Sequence, residues 1–155
     1  MATVSTIPTV KAKLVELLAA ALDVQVSYCW PGPSTSHKAV FLGRHPELDD
    51  IRIDGQQEIP TIKAGRKQRQ ETYVVPVTCW TFRPDLNATA GATCEAEAFD
   101  LYKTVEDVLA DNVTLGLGPA VHRAFIADVA STLFPFQKGW ACELVVQVEV
   151  TARLT

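Results

Sequence analysis

Chemistry in this 155-residue chain would have to come from three histidines, four cysteines and a short acidic run. A nucleophilic site needs a serine or cysteine beside a base that a third group orients. His37, His45 and His122 stand near no such motif, and Ser36-His37 falls beside prolines as a loop pair. Zinc sites draw on thiolates and imidazoles in close pairs. Cys29, Cys79, Cys94 and Cys142 lie 50, 15 and 48 residues apart. Cys29, Cys79 and Cys142 also sit inside apolar, strand-like runs, where a thiol acts as a small hydrophobe. Asp49-Asp50 and Asp54 lack the alternation, central glycine and distant glutamate of a calcium loop. Gly116-Leu117-Gly118 does not lead from a strand into a helix, so it cradles no phosphate. No catalytic, cofactor or metal site is expected, and no enzyme.

What remains is charge. Lys63, Arg66, Lys67 and Arg69 place four cations in seven residues, with Gly65 suggesting a turn. The cluster suits docking onto an acidic partner or onto passing DNA, or else the solvated tip of a hairpin. No aromatic residue is interleaved for base stacking. A net charge of −4 and a pI near 5.3 argue against general affinity for nucleic acid or anionic membrane. Met1–Pro8 has neither a cationic nor an apolar signal region, and no apolar run approaches the ~20 residues of a membrane span, so folding in the cytoplasm is expected.

These residues need elements to hold them. The length favours one domain. A helix is expected from Thr6, with Pro8 in its first turn and Val10, Leu14, Leu17, Leu18, Ala21 and Leu22 at helical spacing up to Asp23. Strands are expected over Val24–Trp30, Lys38–Arg44 and Glu71–Arg83, with Pro76 asking for an edge or a bulge. Between them, residues 45–70 read as a polar hairpin or arm. Pro84–Ala92 reads as a loop and Thr93–Asn112 as a second helix, with Glu95 and Glu97 at its positive end. A strand near Arg123–Leu133 and a turn over Pro135–Gly139 follow. The fold class is α+β: a mixed, largely antiparallel sheet of about four to five strands flanked by two helices.

The last strand has the clearest pattern. Cys142, Leu144, Val146, Val148, Val150, Ala152 and Leu154 alternate with polar residues over a run that would span about 46 Å. So long an apolar stripe is expected to need a neighbouring chain, or a ribbon projecting from the body, to cover part of it. Val146, Val148 and Val150 are therefore interface candidates, together with Lys63, Arg66, Lys67 and Arg69. Trp30, Trp80 and Trp140 sit at or beside strand ends, where core anchoring is expected; a subunit interface is the alternative, and on that ground Trp140 joins the interface candidates.

The chain resembles the tail terminator (tail completion, minor tail protein U-like) subunits of long-tailed bacteriophages. The resemblance runs through the opening helix IPTVKAKLVELLAAAL, the strand ETYVVPVTCW, the helix CEAEAFDLYKTVEDVLADN and the closing GWACELVVQVEVTARL. It implies a virion protein whose copies form a hexameric ring on the finished tail tube, stop its polymerisation and dock to the head–tail connector. Genomic DNA would pass through without specific binding. It implies no active site and no cofactor. A head-closure or neck protein of the same particle, or a small-ligand binding module, are the alternatives.

Overall fold

The computed structural model describes residues 5–32, 35–43, 55–63 and 66–154, with backbone alone described for 55–69 and 154. The elements in chain order are α1 (Ile7–Ala21), β1 (Gln25–Ser27), β2 (Lys38–Leu42), β3 (Gly55–Lys63), β4 (Arg66–Arg83), α2 (Ala88–Asp111), β5 (Val121–Phe136) and β6 (Gly139–Leu154). Six strands form one sheet in the order β1-β2-β4-β6-β5, with β3 also paired to β4. Only β1 and β2 run parallel; every other pair is antiparallel. The fold is α+β as expected, with β3 added to the anticipated strands.

Both helices bury one stripe against one face of the sheet. Val10, Leu14 and Leu18 do this from α1, and Cys94, Ala98, Leu101, Val105 and Val108 from α2. The sheet answers with Tyr73, Val75, Val77 and Cys79 of β4 and the alternate residues of β6. The opposite face has a smaller cluster: Ala39, Phe41, Trp80 and Ala141 are buried, with Trp30, Phe82, Phe134 and Phe136 against them. Trp80 meets Phe136 edge-on at 5.4 Å, a favourable aromatic geometry.

The ends of the elements follow from local chemistry, sometimes against expectation. Thr6 is the N-cap of α1, but its side chain caps nothing. The work falls to Glu71 of β4, whose Oε2 accepts from the Thr6 N–H at 3.0 Å and from Thr6 Oγ1 at 3.1 Å, while Ser5 Oγ donates to Oε1 at 2.5 Å. A carboxylate there satisfies an unpaired helix-end donor and complements the helix dipole. Helix α2 starts five residues before the expected Thr93, because Asn87 caps it by accepting from the Ala90 N–H at 2.7 Å. The alanine-rich stretch is therefore the first half of the helix, and Glu95 and Glu97 lie beyond its first turn. Glu97 instead pairs with Arg83 and, at 3.5 Å, with Lys38.

Strand β1 keeps only three of the seven residues expected for it. Pro76 lies in the register of a central strand, opposite Gln147 of β6. Its carbonyl accepts from the Gly43 N–H at 2.7 Å, so its ring nitrogen faces the same side. There β2 has ended at Leu42 and β3 has not yet begun pairing, which gives proline a local edge. Strands β5 and β6 are joined by Gln137 and Lys138, both at positive φ (47° and 63°), the geometry of a tight primed hairpin turn. Gly139 follows because a Cβ there would stand 2.0 Å from the Arg83 carbonyl oxygen.

One expectation is overturned. Strand β6 sits between β4 and β5, and Cys142, Leu144, Val146, Val148, Val150 and Ala152 are all fully buried within their own chain. No second subunit is needed to cover the stripe. The sheet is tall throughout, since β4 has 18 residues and β5 has 16. The 24-residue α2 adds a cover about 36 Å long.

Candidate assembly interface

The cationic cluster lies on a β-hairpin. Strands β3 and β4 pair antiparallel from Gly55↔Tyr73 to Lys63↔Arg66, with Ile62 opposite Lys67 and an irregularity between Glu58 and Thr61. Lys63, Arg66, Lys67 and Arg69 thus sit together at the hairpin's closed end. The β6 ladder reaches β4 only as far as Arg69↔Leu154. Residues 66–68 continue about 10 Å past that point and, among the described residues, pair with β3 alone.

The other interface candidates are not on that surface. Val146, Val148 and Val150 belong to the core, each at 0% exposure, so they offer nothing to a partner in this fold. Trp140 is half-buried and packs on α2, where the backbone of Gly91 lets the indole approach closely. Its role is to seat the start of α2 on the sheet.

Two surfaces that the sequence did not single out are open. Strand β5 is an edge: among the described residues it pairs only with β6. Its first turn of edge is met by the preceding loop, where the Ala124 N–H donates to the Val113 carbonyl at 2.7 Å. A bulge between Ile126 and Asp128 interrupts the rest, and Asp128 Oδ1 takes the Val129 N–H at 2.9 Å. The run Ala130–Phe134 beyond it carries neither device. Beside this edge, Leu109, Val113, Phe125 and Ile126 line a mostly apolar groove of about 400 Å³ under the end of α2. Val113 is 50% exposed there. The signal for this groove was β5 reading as a strand next to a helix end; its openness depends on how far the loop 112–120 reaches, which no residue pattern states.

The groups that could have done chemistry are placed in structural roles. Cys79, Cys94 and Cys142 are buried beneath α2, and Cys29 is exposed. Burial, with the neighbouring Cys142, pushes the Cys79 thiol up to about 12. Burial raises Cys142 likewise to about 12, with Cys94 adding to it. The Cys94 thiol donates to the carbonyls of Thr81 at 3.3 Å and Trp140 at 3.4 Å, joining helix to sheet. Thiols held neutral in this way are poor nucleophiles and poor metal ligands. His37 is exposed, edge-on to Phe82 at 5.1 Å, and His122 is exposed on β5. Among the described residues no group of three or more His, Cys, Asp or Glu side chains could hold a metal ion. No described helix is long and apolar enough to cross a membrane. His45, Asp49, Asp50 and Asp54 lie outside the described residues.

The surfaces left open among the described residues are a strand edge and an apolar groove beside it. In comparison with known proteins, the chain matches no family model and no curated sequence.

Proposed function

We propose that this chain is a structural subunit of a long-tailed phage particle, of the tail terminator type, which assembles into a ring that caps the tail tube and joins it to the head connector. The resemblance over nearly the whole chain supplies the particle and the position within it. The structural observation that carries the assembly part is the β5 edge with its adjoining apolar groove. Long edges invite pairing with another chain, and folds that stay monomeric blunt them thoroughly. Here Ala130–Phe134, between the bulge at Asp128 and Pro135, is left unblunted, and this run belongs to the same edge strand that walls the groove. A neck or head-closure subunit of the same particle would use the same surfaces.

Light scattering after size-exclusion chromatography, with electron microscopy in the presence of purified tail tubes, tests this. Rings, or caps at tube ends that fix tube length, are the expected result. A monomer at every concentration that leaves tube length unchanged would overturn it. The groove also favours a second reading, a small apolar ligand held beneath α2. That reading predicts saturable thermal stabilisation by members of an apolar metabolite panel, and a flat panel removes it.

A further inference from the structure

Charge in this chain is segregated. Four of its fourteen basic residues fall at the closed end of the β3–β4 hairpin. Helix α2 carries Glu95, Glu97, Asp100, Glu106, Asp107 and Asp111 against a single lysine, Lys103. Glu97 is matched by Lys38 and Arg83. Asp100, Asp107 and Asp111 are exposed and, among the described residues, form no ion pair. Steps of seven and four residues set these three along one side of the helix.

Beside that stripe the helices part. Helix α1 finishes in the exposed alanines Ala19, Ala20 and Ala21, whose small side chains fill little space. The result is a groove of about 340 Å³ with Leu17, Ala20, Ala21 and Val108 along it and Asp107 and Asp111 at its margin. It is a trough of mixed polarity, with Thr104 and Asn112 also on its walls and two carboxylates at its margin, a setting that favours a cationic segment.

We propose that this groove receives the closed end of the β3–β4 hairpin from a second copy of the chain. The charges are complementary, and β4 runs as one continuous strand from Arg66 into the core. The register carries the hairpin end beyond the last β6 pair. A contact between two different surfaces of identical chains is heterologous, and repeating it with a closing rotation generates a ring. This inference rests on the ring reading above and supplies its subunit contact. It gives the hairpin cluster a use other than that of a solvated tip.

Charge exchange tests it. One variant carries Lys63→Glu, Arg66→Glu, Lys67→Glu and Arg69→Glu; another carries Asp100→Lys, Asp107→Lys and Asp111→Lys; a third combines both sets. Each of the first two should associate with itself at least tenfold more weakly than the natural chain. Mixing them should restore association, since each then offers a matched hairpin and groove to the other, and the combined variant should associate alone. Circular dichroism and melting curves check that each is folded. If a variant does not fold, the natural chain decides: its association should fall at least tenfold between 50 mM and 500 mM salt, as screening requires. Unchanged association in either variant, failure of the mixture to recover, or salt-independent association overturns this contact while leaving the ring reading intact. A natural chain that never associates, even on tail tubes, overturns the ring reading and this contact with it.

Discussion

Glu71 shows how one side chain ties distant parts of the chain together. It is 3% exposed, yet its two oxygens take donors from Ser5 and Thr6, which lie more than sixty residues away. Tyr73 adds to the knot through its hydroxyl, 2.9 Å from Thr6 Oγ1. Removing the carboxylate leaves a helix end uncapped and buried donors unpaired, which costs about 2–3 kcal/mol. Glu71→Ala should therefore lower the unfolding free energy by that amount, seen as a lower urea midpoint with an unchanged slope of the transition, and a loss below about 0.5 kcal/mol would contradict the assignment. The buried thiols give a second test at this scale. Cys79 and Cys142 stay protonated to about pH 12 in the folded chain, whereas in the unfolded chain they ionise near their ordinary value. Protons are then released on unfolding, so stability present below pH 9 declines as pH rises from about 9 towards 12. An aromatic disulfide reagent at pH 8 should label one thiol quickly, Cys29, and all four after denaturation. Rapid labelling of three or four in the native state would show that the core thiols are accessible.

Elements were legible where one periodicity dominated. The stripe of α1, the alternation of β6 and the apolar run of β4 each declared their type, because burial on one face imposes its own period on the residues. Boundaries were less legible where a non-local partner decides them. Nothing near Thr6 announces that Glu71 will cap α1, and β1 is short because only Gln25–Ser27 find partners on β2. The start of α2 was legible in principle: Asn87 precedes an alanine-rich run, and alanine is the best helix former. Asn87→Ala should destabilise the fold by about 1 kcal/mol, measurable as a drop of several degrees in the melting temperature. An unchanged melting temperature would mean that the cap bond does not hold in solution. For the site, the hairpin cations were visible as composition. The β5 groove and the α1–α2 trough were not, since each depends on the crossing of elements far apart in the chain. The burial of β6 was misjudged because a strand's pattern states which face is apolar but not what will lie on it.

At the scale of the whole molecule, the sheet has one covered face, one partly aromatic face and an edge. If that edge joins copies, a charge placed on it should weaken association and spare the fold. Ser131 is exposed on the open run of β5, so Ser131→Lys should leave stability within about 0.5 kcal/mol. Sedimentation should then show weaker self-association than in the natural chain. Equal association would move the contact away from β5, to the hairpin and trough alone.

The place of β6 in the chain has a further consequence. The strand that joins the edge strand β5 to the rest of the sheet comes after both neighbours it pairs with. While a ribosome is still making α2, the long strand β4 has only its hairpin mate β3 and the short β2 to hold it, and the apolar underside of α2 has half its seat missing. The nascent polypeptide must wait, greasy and incomplete, until the β5–β6 hairpin emerges and slides in as a keystone. Synthesis of β5 and β6 at roughly 5–20 residues per second, rather than the microsecond closure of the turn between them, then sets how long the unfinished body is exposed to proteases and to its own kind.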